Sequence, residues 1–214
     1  MIAPVSDGWS RRQERTRQSV FEAVRTLIAE GGIEALTMRR LAERADVAVA
    51  TLYNQFGDRQ GLLVSFVDAG LDELEERIDA LPSAAPIDVT RQLFTALDDE
   101  ITDRPLVWRP IFAMLNSSPA AHGMGDVGDR VVAIIRADLD KAAASDLFVG
   151  DVDTDQLARH ILNSRMSRLE RWALGIIDWD LYVQSSQIGL ELIVASVLVD
   201  PHRAEALARS GLVD

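Results

Sequence analysis

TMRRLAERADVAVATLYNQFGDR, residues 37–59, is the stretch from which the fold of this chain can be read. Thr37 is a good N-cap, because its hydroxyl can accept a hydrogen bond from an amide that has no partner in the first helical turn. Met38, Leu41, Ala42 and Ala45 then recur at helical spacing, which leaves Arg39, Arg40, Glu43 and Arg44 for the other faces. Asp46 follows at the turn, and Asp tolerates a left-handed backbone better than most residues other than glycine. Val47 to Gln55 reads as a second helix, too short to be stable alone. A short helix presented at the surface beside arginines has the geometry that major-groove insertion needs.

Working outward, the 214 residues are long enough for one large domain or for a small one joined to a larger one. Cysteine is absent, so disulfides and thiolate zinc sites are excluded and a reducing compartment is expected. No leader-like run opens the chain and no apolar stretch reaches membrane-spanning length, so a cytoplasmic protein without a membrane partner is expected. A formal charge of −12 is unfavourable for a nucleic-acid partner, but it is unevenly spread. Residues 1–60 hold 9 basic and 8 acidic side chains, and residues 61–214 hold 13 and 26. Arg11, Arg12, Arg15 and Arg17 cluster near the start of the first helix. Phosphate binding depends on local potential and counterion release, so this asymmetry favours DNA at the amino end.

The rest of the chain reads as helices with no convincing strand, and the fold class is all-α. Ser10 with Gln13 forms a capping box for a helix to about Glu30, with Val20, Phe21, Val24, Leu27 and Ile28 as its apolar stripe and Gly31–Gly32 as its stop. A longer helix is expected from Arg59 to Ala80, followed by a connection over LPSAAP, residues 81–86. Further helices are expected over 87–102, 105–115 and 130–144, with the turn-rich residues 116–129 as a loop. Asp151 opens a long helix that breaks at 175–180, and a last major helix runs over 181–199.

The order and spacing of GGIEALTMRRLAERADVAVATLYNQFGDRQGLL, residues 31–63, resemble the DNA-binding domain of the TetR family of bacterial transcriptional regulators. The specific points are the Thr37 start, the Leu41–Ala42 pair, the Thr51–Leu52–Tyr53 triplet, Phe56 and Arg59. The resemblance implies a three-helix helix-turn-helix domain over residues 10–57 and a larger helical ligand-binding and dimerisation domain over 58–214. It also implies DNA contacts. Thr37, Tyr53 and Arg59 would meet phosphates, Arg39 would reach a base edge, and Arg40 could do either. Val49, Ala50, Thr51 and Gln55 would face the groove, with Thr51 also a backbone anchor. Asp46 stands where the family commonly has glycine, and Val49 and Ala50 present only apolar surface to the bases. Such residues can touch a thymine methyl but cannot read a donor–acceptor pattern. Specificity then leans on Arg39, Thr51, Asn54 and Gln55, or on DNA shape.

One short helix reads few base pairs, so a homodimer on a palindromic double-stranded operator is expected. Its interface is assigned from apolar pattern to Ile188, Leu192, Ala195 and Val199, paired with Leu162, Met166 and Leu169. Regulation by a small-molecule effector of unknown identity is implied by the resemblance alone. The candidate ligand-binding residues are Trp108, Arg109, Phe112 and Met114, with His160, Asn163 and Trp172. No cofactor is expected, and no HExxH, P-loop or dinucleotide glycine motif is present. The expectation is a transcriptional repressor, not an enzyme, released from its operator by its ligand. An activator or ligand-independent regulator would share these features. So would a helical enzyme or small-molecule-binding protein with a vestigial DNA reader.

Overall fold

The computed structural model describes residues 6–79, 85–116 and 124–213, with the backbone alone described at 6–12, 79, 116 and 124. Among the described residues the chain forms ten helices: α1 (Ser6–Ala35), α2 (Met38–Ala45), α3 (Val49–Phe56), α4 (Arg59–Asp79), α5 (Asp88–Asp103), α6 (Pro105–Asn116), α7 (Met124–Ala144), α8 (Thr154–Ala173), α9 (Trp179–Ala195) and α10 (His202–Ser210). The all-α architecture agrees with the sequence pattern. Most boundaries fall within a few residues of those expected, because the caps are carried by particular side chains. Thr37 accepts from the Arg40 amide, Asp153 from Gln156, and Asp178 from Leu181.

Glycine stops α1 as expected. Gly31 and Gly32 leave helical geometry, and Gly32 adopts φ 69°, so residues 33–35 form a separate turn rather than a continuation. Asp46 closes α2 in the left-handed region at φ 53°, where most other residues would be strained.

Three expectations need correction. The loop placed over 116–129 is shorter, since α7 already begins at Met124, and its remaining part, 117–123, lies outside the described residues. The last major helix stops at Ala195, after which Phe148 and Leu198 form an isolated antiparallel bridge. In that bridge the Val149 amide donates to the Val197 carbonyl and the Val199 amide to that of Leu147. Helix α10, which covers the end of α9, was not anticipated, because a nine-residue amphipathic segment after Pro201 carries little periodic signal. The expected connection at 81–86 lies mostly outside the described residues.

Helices α1–α3 pack around Phe21, Leu27, Leu36, Leu41 and Leu52, all buried. The same core runs on through Leu62, Leu63 and Phe66 of α4 into Val107, Trp108 and Ile111 of α6, and to Leu169 and Tyr182. A second core joins α4, α5, α7, α8 and α9 around Leu93, Ile135, Leu139, Ile161 and Val194. Burying each such aliphatic side chain contributes about 1.5–3 kcal/mol. Helix α4 therefore belongs to both cores.

Polar ties fix the helix pairs. Thr90 donates through its amide and hydroxyl to the buried Asp138 at 2.8 and 2.9 Å, joining α5 to α7. Arg91 grips Glu191 at 2.7 and 3.0 Å, joining α5 to α9. Arg130 of α7 donates to Asp68, Asp72 and Glu75 at 2.5, 2.8 and 2.8 Å. These three carboxylates lie one helical turn apart on one face of α4.

Candidate DNA interface and effector cavity

The candidate DNA reader, helices α2 and α3, is built from the cap outward. With Met38, Leu41, Ala42 and Ala45 buried, helical geometry turns Arg39 and Arg40 to solvent. The Arg39 side chain is 86% exposed and rests on Glu43 at 3.1 Å. Leu52 and Phe56 anchor α3, and Val49, Ala50, Thr51, Tyr53, Asn54 and Gln55 are left exposed around the rest of the helix. The Tyr53 side is half in solvent, 51% exposed. Nine of the ten residues expected to meet DNA are thus exposed.

Arg59 is the exception. It is partly buried, and its Nη2 donates to the Ile33 carbonyl at 2.7 Å, across the corner between α1 and α2. That carbonyl follows the glycine break and accepts from the Leu36 amide at 3.2 Å, and the guanidinium supplies its second, shorter hydrogen bond.

Two contacts hold the reader on α1. Arg44 makes a two-pronged pair with Glu30 at 3.1 and 2.7 Å, and the Ser19 hydroxyl donates to the Ala45 carbonyl at 3.2 Å. The hydrogen bonds from Arg44 hold the Glu30 carboxyl below its ordinary pKa. Arg17 lies over the Phe21 ring at 5.3 Å, and the Arg11 and Arg12 side chains fall outside the described residues.

Below the reader, α4, α5, α6, α7 and α8 enclose a cavity of about 240 Å³. Leu71, Leu74, Leu93, Phe94, Val131 and Leu162 are among its walls, with Trp108 and Phe112 at the α6 side. Asn163, exposed on α8, stands where the cavity reaches the surface. Of the seven residues expected to bind a ligand, Trp108, Phe112 and Asn163 line this cavity together. Arg109 and Trp172 instead border a separate surface groove near Gly175, Met114 is half-buried in the reader-side core, and His160 is exposed on α8. The structure does not bring these seven together, because adjacent helix positions diverge by about 100° in direction.

The residues expected at a dimer interface also separate. Leu162, Met166 and Leu169 point into the cavity, and Leu169 is only 1% exposed. They lie on the stripe of α8 that includes Ile161 and Trp172, which faces the body. Ala195 is buried and Val199 is half-buried beside its bridge to Leu147. Ile188 and Leu192 remain at the surface, on the same face of α9 as the exposed Leu181. Sequence periodicity alone does not distinguish the two faces of α8.

A chain of aromatic rings connects cavity to reader. Phe112 stacks on Trp108 at 5.8 Å, Trp108 meets Phe66 of α4 at 5.2 Å, Phe66 meets Phe21 at 5.5 Å, and Phe21 meets Phe56 at the end of α3 at 5.9 Å. The Trp108 indole N–H donates to Glu100 at 3.2 Å. Among the described residues no group of three or more His, Asp or Glu could hold a metal ion, and no helix is long and apolar enough to cross a membrane.

Comparison with known proteins places this geometry in a family. The profile of bacterial regulatory proteins of the tetR family matches residues 20–66, the reader and the start of α4. The HTH-type transcriptional repressor KstR of Rhodococcus jostii (strain RHA1) is 30% identical over 168 residues, covering 76% of this chain and 75% of that protein. KstR of Mycolicibacterium smegmatis is 28% identical over 172 residues, covering 76% and 79%. The solved structure of Thermus thermophilus FadR, a TetR-family repressor in complex with lauroyl-CoA, superposes with a TM-score of 0.68 at 21% identity, covering 86% of this chain and 95% of that one. At that identity the likeness is one of fold. Similarity to the KstR repressors extends well past the reader into the helical body, so the chain belongs to the TetR family of bacterial regulatory proteins and is a DNA-binding transcriptional regulator.

Proposed function

We propose that this regulator is a homodimeric repressor that occupies a palindromic operator and leaves it when a small molecule enters the cavity. The observation that carries the reading is the shared helix α4, whose first turns pack under the reader and whose middle walls the cavity. In this reading residues 10–57 are the DNA-binding unit and 58–214 the effector and dimerisation unit.

Thr37 and Tyr53 meet phosphates, Arg39 and Arg40 reach bases or phosphate, and Val49, Ala50, Thr51, Asn54 and Gln55 enter the major groove. Arg59 holds the Ile33 corner so that α2 and α3 keep their angle to α1. The outer face of α9, with Leu181, Ile188 and Leu192, pairs with its counterpart across a two-fold axis and sets the half-sites about one helical turn (~34 Å) apart. An effector against Trp108 and Phe112 displaces Phe66 and swings α4, which alters the separation of the two recognition helices. It acts only to the extent that it prefers the released arrangement. The repressor names of the KstR relatives and the lauroyl-CoA complex of the FadR neighbour support repression and a small-molecule effector.

The test is a genome-wide pull-down of bound DNA followed by titration of the recovered fragment. A palindromic site is expected, bound with steep salt dependence and lost in Arg39→Ala and in Tyr53→Phe. Absence of any salt-sensitive association with duplex DNA would refute the proposal.

A further inference from the structure

Building on the effector reading above, we propose that the cavity admits an uncharged, mainly apolar molecule and rejects free carboxylic acids, because its own charged groups are already paired. An arginine at the wall of an apolar cavity would ordinarily attract a carboxylate. Here the charge of Arg165, 4% exposed, is already balanced: its Nη2 is held by the Asp98 carboxylate and by the Phe94 carbonyl at 3.3 Å, although its Nε–H is buried without a hydrogen-bond partner. Its flat faces are covered as well, by Phe94 at 4.3 Å and Tyr182 at 5.4 Å. A second anion brought to this guanidinium would sit beside the Asp98 charge in a poorly solvated site, where unpaired charge is costly. The acidic group in the wall, Glu100, accepts from Arg104 and from the Trp108 indole, so it offers no free anion to a cationic guest. The remaining polar wall residue is Asn163 at the surface end, whose neutral amide suits a hydroxyl, ester or thioester carbonyl.

The experiment compares probes of one chain length on the full-length protein, followed by calorimetry and thermal shift: methyl decanoate, decanoate and decanoyl-CoA. Methyl decanoate is expected to bind about tenfold or more tightly than decanoate near neutral pH, the scale set by an unpaired buried charge. Lowering the pH to protonate decanoate is expected to close that gap in the wild-type protein. In Asp98→Asn, Arg165 is released, and decanoate binding is expected to rise about tenfold relative to the ester, a gain that a purely structural role for Asp98 does not produce. Decanoyl-CoA binding on a par with the ester assigns the neutral carbonyl to a thioester, and its failure to bind assigns it to a free neutral lipid. Decanoate binding as tightly as the ester to the wild-type protein overturns the inference while leaving the effector reading intact. If none of the three binds, or binding leaves operator affinity unchanged, the effector reading itself fails.

Discussion

Replacing Gly61 with alanine sets two physical effects against each other. Gly61 lies in the first turn of α4, where alanine is favoured over glycine by up to about 1 kcal/mol on helix propensity. A β-carbon there, however, falls 2.2 Å from the Phe56 carbonyl oxygen and 3.4 Å from its carbon. Carbon–oxygen contacts normally stop near ~3.3 Å, so the corner between α3 and α4 must open by roughly 1 Å. Backbone cannot rotate aside as a flexible side chain would. Opening the corner disturbs the bond from the Asp58 amide to Phe56, at 3.0 Å, and the seat of Phe56 on Phe21. Overpacking of this kind costs about 1–3 kcal/mol or more, and against the propensity gain a net loss of about 2 kcal/mol is expected. For a chain of this size that corresponds to a fall in Tm of about 4–8 °C. Operator affinity should fall as well, since α3 is displaced on its mount. Gly128→Ala is the control: it is helical, and its added β-carbon meets nothing within 4 Å. There the propensity term acts alone, and a rise of about 1–4 °C is expected. Both are measured by scanning calorimetry at one protein concentration, because the Tm of an associating protein depends on it. A Gly61→Ala variant as stable as the wild type would refute the geometric argument.

Three further outcomes can be checked directly. Thr37→Val keeps the shape of the side chain but removes the acceptor for the Arg40 amide, and a loss of about 1 kcal/mol is expected in chemical denaturation, with Thr37→Ser close to wild type. Burial raises the Asp98 pKa despite the opposing charge of Arg165. A carboxyl raised on folding contributes stability at low pH that is lost as pH rises through its folded value. The Tm of the wild type minus that of Asp98→Asn should therefore decrease between acid and neutral pH; a difference that increases with pH would contradict the assignment. Leu192→Arg places a charge on the outer face of α9, and sedimentation should then find monomers that bind the operator at least about tenfold more weakly.

The local grammar of the amino end was legible because short-range physics writes it there. Thr37, the Leu41–Ala42 pair, Asp46 and the glycine pair after α1 each act within one helical turn, and all were found in the roles their chemistry implies. The exposure of Val49, Thr51 and Gln55 follows equally from Leu52 and Phe56 being the apolar anchors of α3. The sequence alone therefore determined the helical class, the reader and its exposed face.

Tertiary structure decided what depends on which helix lies opposite which. Leu162 and Met166 read as interface and face a cavity; Arg59 reads as a phosphate ligand and bonds the Ile33 carbonyl. Arg165 and Asp98, 67 positions apart, became one neutral pair only when α8 was laid against α5. Gly61 had no visible constraint until the Phe56 carbonyl came to stand over it. The reason is one of range: caps and periodic stripes are settled by neighbours within four residues, whereas the side of a helix that meets protein, cavity or solvent is settled by packing between segments far apart in the chain.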